Sequence, residues 1–373
     1  MRGAIKSALA SAVHLSRADR LFAALRGQRR QAVVLGYHRV VDDFAKQSAH
    51  AFPAMLISRA MLERHLDWVA RRFQIVSLED LRSRLDTQAA GARPLAAITF
   101  DDGYRDVYEH AFPLLMRKGL PATVFVATNF VGTPSVFPHD RLYLLLARAS
   151  HRWPSFPREL ARVLQHLNLA LPERSLREAA RSPHTALRTV LTTLPEADVQ
   201  RIIAALEAEC GGSESLPHGL RPLTWNMVTE MSRGGVSVGS HTRSHSLLTN
   251  ESPAKVVEET MGSQQDLAKR LGKPATCFAY PDGRFDAAAV RAVAAAGYTI
   301  AVTTCRHRDP DHPWLTVPRV LLWERSSVDA RGRFSPAILS CQMSGVFDPN
   351  CCRHPHGRAF QTPSSLWRTP PQL

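Results

Sequence analysis

Thr99-Phe100-Asp101-Asp102-Gly103-Tyr104 ends an apolar run that begins at Ala96, and it does so with two adjacent carboxylates and a glycine. A short apolar run closed by a turn signal reads as a buried strand. In a parallel α/β protein the C-terminal ends of the strands face the active site. Two carboxylates side by side at such an end repel each other unless a cation or a shared proton holds them. The pair therefore suggests a metal on one carboxylate and a reacting proton on the other. A solvated Asp-Asp-Gly turn is the plain alternative.

On both sides of this stretch, strand-like and helix-like segments alternate. Residues 32–37, 96–100, 122–127, 236–239, 276–280, 298–302 and 316–320 read as strands. Residues 62–73, 106–118, 253–271 and 287–296 read as helices, with Gly119 and Gly297 as stops. This alternation argues for a parallel sheet, open or closed into a barrel. Residues 140–220 break the rhythm. Val199, Ile202, Ile203 and Leu206 have the spacing of a half-buried helix, so a helical insertion is expected there. Residues 1–30 form a basic N-terminal extension that reads as an amphipathic helix. Residues 326–373 carry scattered prolines and no apolar period, and are expected to be a disordered or loosely attached tail.

A second signal follows the strand at 236–239: Ser240-His241-Thr242-Arg243-Ser244-His245. Histidines at i and i+4 would project from one side of a helical turn and could share a metal. Alone, the pair is weak. Beside the Asp-Asp-Gly strand end it supplies one carboxylate and two imidazoles, which leaves open positions on a metal for water and substrate.

These motifs resemble those of the polysaccharide deacetylase family, also called NodB-homology or carbohydrate esterase 4. The opening strand Val34-Leu35-Gly36-Tyr37-His38-Arg39-Val40 is similar to that of the family's YHRV subgroup. Leu223-Thr224-Trp225, Phe278-Ala279-Tyr280-Pro281-Asp282-Gly283-Arg284-Phe285 and Val317-Pro318-Arg319-Val320 are similar to its later segments. The resemblance covers about residues 31–325. It implies an α/β fold, a deformed (β/α)7-type barrel, with the helical insertion added. It implies one divalent metal ion, commonly zinc, held by Asp102, His241 and His245, with Asp101 as general base. Many members carry an arginine that orients the base; the matching position here is Ala279, and Arg284 is the expected substitute. The late Leu-x-His segment that supplies the general acid is not visible. His38 is the candidate for that role, and His307 a weaker one. Tyr280 and Pro281 are expected to line the sugar subsite, and the backbone N–H near Tyr104 to face the developing oxyanion.

The expected activity is metal-dependent removal of N-acetyl groups from a sugar of a polysaccharide or lipid-linked glycan. Hydrolysis of a small amide, an imide or an O-acetyl ester is the alternative within the same chemistry. A non-catalytic glycan-binding role is the alternative outside it. The chain has 373 residues, 47 basic and 33 acidic, and a formal charge of +14, which suits an anionic glycan or lipid carrier. No nucleic-acid recognition motif accompanies the charge, so no nucleic-acid partner is expected. No stretch approaches the ~20 apolar residues of a membrane span. The expected location is the cytoplasm, peripheral at the inner membrane, with the basic N-terminus able to touch the membrane surface. The six cysteines form no CxxC pair, and a disulfide framework is not expected.

Overall fold

The computed structural model describes residues 2–16, 32–48, 51–89, 92–211 and 218–347. Seven strands form the barrel: β1 Val33–Tyr37, β2 Leu95–Phe100, β3 Ala122–Val126, β4 Val236–Ser240, β5 Cys277–Ala279, β6 Ile300–Thr303 and β7 Val317–Leu321. Every neighbouring pair is parallel, and the ring closes because β1 pairs with both β2 and β7. Parallel strands covered on both faces need continuous apolar sequence, and all six residues of β2 are buried.

The barrel is deformed at β2. One edge pairs with β1 from Ala96 to Phe100. The other is divided: Leu95 and Ala96 pair with the short strand Gln74–Ile75, and Thr99 and Phe100 pair with β3. β3 thus joins β2 only near its C-terminal end, where the carboxylates are.

Helices enclose the barrel with local signals that the sequence carries. Arg59–Ala70 starts at Ser58, whose side chain accepts from the Met61 N–H, and it buries Met61, Leu62, His65, Leu66, Trp68 and Val69. Phe112–Lys118 follows a single wide turn at Val107–Ala111 and stops at Gly119 in the left-handed region, φ 60°. Five helices, Pro138–Arg152, Phe156–His166, Glu173–Ala179, Pro183–Thr193 and Glu196–Cys210, make up the insertion. They bury Leu142, Leu146, Leu160, Val190 and Ile203 in a core distinct from that of the barrel.

The expectation for residues 326–373 needs correction over its first part. Pro336–Met343 is a helix whose N-cap Ser335 accepts from the Ile338 N–H. Its Ile338 and Cys341 pack on Ala10 of the N-terminal helix Arg2–Leu15. The two helices thus cover each other's apolar residues, a long-range pairing that local periodicity does not reveal. Residues 348–373 and 17–31 lie outside the described residues. Cys305 is disulfide-bonded, while Cys210, Cys277 and Cys341 are free and buried. Among the described residues no helix is long and apolar enough to cross a membrane.

His65 gives the fold an acid sensitivity. Its Nδ1 lies 3.2 Å from the Tyr37 hydroxyl and its Nε2 2.6 Å from Ser327 Oγ. Burial pushes its pKa down to about 3. The unfolded chain takes up this proton near pH ~6.5, and the folded chain does not until far lower. Between those values the unfolded state binds more protons, so stability falls with pH by about 1.4 kcal/mol per unit from this group. His65→Gln is expected to remove that part of the slope. Denaturant midpoints across the acid range, compared with wild type, would show it. An unchanged slope would assign the sensitivity to another group.

Candidate metal centre

The site is built on strand ends. The Asp101 N–H donates to the Tyr37 carbonyl at 2.9 Å, and the His241 N–H to the Val126 carbonyl at 2.9 Å, so both ladders run one residue beyond their strands. The chain then turns sharply. Asp102 has φ 68° and Gly103 φ 86°. A Cβ at position 103 would also lie 2.9 Å from Val126 Cγ1, so glycine serves both the backbone angle and the close approach. Left-handed backbone at a non-glycine residue is strained, and such strain persists where the surroundings enforce it.

His241 and His245 do not lie on a helical turn, as their spacing suggested. Thr242 and His245 have φ of 66° and 63°, and the segment is an irregular loop. Its shape comes from Glu259, a residue the sequence reading missed. This wholly buried carboxylate accepts from the Arg243 N–H, the Ser244 N–H and the Ser244 hydroxyl, each at 2.8 Å, and pairs with Lys255 at 3.0 Å. Glu259→Ala is expected to weaken divalent-metal affinity by about 10–100-fold, the usual effect of removing a group that orients ligands. Competition with a chromophoric chelator measures this, and unchanged affinity would mean the loop keeps its shape unaided.

One ligand atom each from Asp102, His241 and His245 lies within 4.8 Å of the others. Asp102 Oδ1 is 3.4 Å from His241 Nε2 and 3.2 Å from His245 Nε2. Donors bound tetrahedrally at about 2.0–2.1 Å sit about 3.3 Å apart, so these separations fit a zinc-sized ion. The hydrogen bonds support the same fit. His241 Nδ1 is 2.7 Å from the Ala279 carbonyl, which can only accept, so Nδ1 carries a proton and the neutral imidazole presents a lone pair at Nε2. That lone pair faces a carboxylate whose two oxygens are buried and have no hydrogen-bond partner among the described residues. Two acceptors facing each other in a buried site call for a cation between them.

Asp101 stands beside this trio in the grip of Arg319. Nη1 donates to Asp101 Oδ1 at 2.6 Å and to Thr99 Oγ1 at 3.2 Å, while Nη2 donates to Asp101 Oδ2. Burial alone would raise the Asp101 carboxyl; Arg319, with His241 and His38, outweighs it and holds the carboxyl below its ordinary range. The expected substitute, Arg284, is elsewhere: its Nη1 donates to the Thr192 carbonyl of the insertion at 2.8 Å. Arg284 lies in the loop after β5 and is engaged by the insertion, whereas Arg319 lies within β7 and bonds Asp101 directly. His38 Nε2 is 3.8 Å from Asp101 Oδ2, with the side chain 20% exposed, and burial lowers its pKa.

Tyr104 is wholly buried and faces away from solvent. Its hydroxyl donates to Asp140 Oδ2 at 2.6 Å and lies 2.7 Å from His139 Nε2. Tyr280 and Pro281 do not line an open subsite. Both are buried, with Tyr280 packed on Phe278 and Phe285. His307 Nδ1 lies 3.5 Å from Cys305 Sγ. A buried ion pair, Arg39 Nε to Asp106 Oδ2 at 2.9 Å, supports the network behind Tyr104. His139, Asp140 and Arg39 are further residues the sequence reading missed.

The family model for polysaccharide deacetylase matches residues 88–166 and 180–301, more than half of the chain. The chain belongs to the polysaccharide deacetylase family. Members of this family are hydrolases of glycan N-acetyl groups, and their centres are metal-dependent. Among solved structures, a Streptococcus pyogenes deacetylase in complex with acetate is similar with a TM-score of 0.52 at 19% identity, covering 84% of this chain and 97% of that one. A de-N-acetylase from Aggregatibacter actinomycetemcomitans gives 0.50 at 18%, covering 80% and 97%. At these identities the likeness concerns the fold, and the closed seven-stranded barrel agrees with it. A Bacillus subtilis protein named as a polysaccharide deacetylase, YxkH, is 28% identical over 80 residues. That match spans 21% of this chain and 29% of YxkH.

Proposed function

We propose that this chain removes N-acetyl groups from an N-acetylated sugar of a polysaccharide or lipid-linked glycan, using zinc held by Asp102, His241 and His245. The observation that carries this reading is the convergence of those three ligands next to Asp101, a carboxylate fixed by Arg319 but not itself part of the ligand set. An ion bound there would polarise a water and the acetyl carbonyl, and bring the water's pKa towards ~7.

The chain's own groups do the rest. Asp101 accepts the attacking water's proton, which requires a carboxylate within about 3 Å of it. The two-pronged hold of Arg319 fixes the direction of that carboxylate and keeps it ionised. The Gly103 N–H is taken by the Asp101 carbonyl at 2.8 Å, so the Tyr104 N–H is the proposed donor to the carbonyl oxygen as it gains charge. The departing amine needs a proton. His38, beside Asp101, is placed to receive the abstracted proton and deliver it. The charge of +14 suits a substrate that is an anionic polymer or is linked to an anionic lipid carrier.

Acetate release from N-acetylglucosamine oligomers, with and without a chelator, tests this reading. Release is expected to stop on chelation and return with zinc. Release that survives chelation would reject the metal mechanism. Release from O-acetyl esters alone would move the substrate to an ester. No release from any amide or ester, with metal bound, would favour a glycan-binding role.

A further inference from the structure

The helical insertion sends one side chain into the centre. His139 is the second residue of its first helix, Pro138–Arg152. The ring is buried, stacks on Phe137 at 7° with centroids 5.6 Å apart, and lies 4.8 Å from the ring of His245. Its Nε2 is 2.7 Å from the Tyr104 hydroxyl and 3.9 Å from Asp102 Oδ2. The order of protons here follows from donor and acceptor rules. The Asp140 carboxylate can only accept, so Tyr104 gives its proton to Asp140. Tyr104 must then receive from His139, which puts the His139 proton on Nε2. That N–H donates to the Tyr104 oxygen, and Asp102 Oδ2 is 3.9 Å from the same nitrogen.

Asp102 Oδ1 faces the two ligand imidazoles, and Oδ2 is buried without a hydrogen-bond partner among the described residues. Ligating carboxylates are ordinarily hydrogen-bonded at the oxygen the metal does not take. His139 is the donor nearest to that role. Beyond the first turn, the same helix buries Leu142, Leu145 and Leu146 in the core of the insertion. The far side of the insertion is tied to barrel loops by Asn250 Nδ2, which donates to the Leu191 and Leu194 carbonyls at 3.1 Å. Those ties touch no ligand; His139 does.

We propose that His139 is a positioning residue through which docking of the helical insertion and binding of the metal are coupled. This rests on the metal reading above. The coupling is reciprocal: if metal steadies the docked helix, docking tightens the metal by the same factor. The first turn of the insertion then completes the ligand environment.

The test uses the full chain with zinc as the probe, in wild type, His139→Ala and His139→Gln. Gln can place an amide donor near the site of Nε2. Zinc affinity is measured by chelator competition, and amide hydrogen exchange of peptides from residues 138–152 is followed with and without zinc. In wild type, zinc should slow exchange in this helix. His139→Ala should bind zinc about 10–100-fold more weakly and lose the effect of zinc on exchange, and His139→Gln should recover most of both. Equal zinc affinity in wild type and His139→Ala, or exchange in wild type that ignores bound zinc, would overturn the coupling while leaving the metal centre intact. Failure of wild type to bind zinc or any other divalent ion would overturn the proposed function as well.

Discussion

Asp101→Asn is expected to lower acetate release by about 10²–10⁴-fold, the range for loss of a positioned general base, while zinc affinity stays near wild type. Asn keeps the shape of the carboxylate but cannot take the water's proton. The ligands Asp102, His241 and His245 are untouched. The loss corresponds to about 3–5.5 kcal/mol of barrier. The substitution also leaves the Arg319 guanidinium buried opposite a neutral amide, so the variant will be less stable. Its activity must be compared at a temperature where both proteins are folded. The informative result is the separation of the two readouts: bound metal retained, turnover lost. Turnover within tenfold of wild type would remove Asp101 as the base and direct attention to His38, 3.8 Å away.

The parts of this centre that were legible in the sequence are those whose chemistry is local. Asp101 and Asp102 close an apolar run, and His241 follows another, so strand ends and ligands can be read together. The alternation of segments pointed to seven strands, and the structure closes them into a ring. The spacing of His241 and His245 suggested a helical turn, and here local reasoning failed. Glu259, on a later helix, imposes backbone angles that no local propensity favours. The role of Arg319 was missed for a related reason. A lone arginine between Val317 and Val320 in an apolar strand is a signal, because a buried charge needs a partner. Which carboxylate it finds depends on barrel closure, which sets β1 between β7 and β2. Arg284 is close in sequence to Ala279, but proximity along the chain does not bring a side chain to Asp101. His139 and Asp140 open a helix whose apolar face begins only at Leu142, and nothing local shows that this turn lies against Asp102.

Arg319→Met should have the largest effect on stability. The Arg319 and Asp101 side chains are 1% and 2% exposed. Removing one partner of such a pair leaves a buried charge uncompensated, at a cost of about 3–5 kcal/mol. Activity should fall too, with a characteristic pH signature. Once Arg319 is gone, burial is the dominant influence on the Asp101 carboxyl and raises its pKa. The base is then protonated at a higher pH, so the acid limb of the rate profile moves upward. Arg319→Lys restores the charge but not the two-pronged contact, so it should recover part of the stability and less of the turnover. The decisive comparison is with the double variant Asp101→Asn, Arg319→Met, in which neither charge is left alone. Its loss of stability should be smaller than the sum of the single losses, by about 0.5–3 kcal/mol for residues in direct contact, as read from denaturant midpoints. Arg284→Met, which removes a bond to the Thr192 carbonyl and a charge near Asp282 but no contact with Asp101, should leave the acid limb in place. Strict additivity at positions 101 and 319, or an acid limb that moves with Arg284 and not with Arg319, would mean that the base is oriented by a residue other than Arg319.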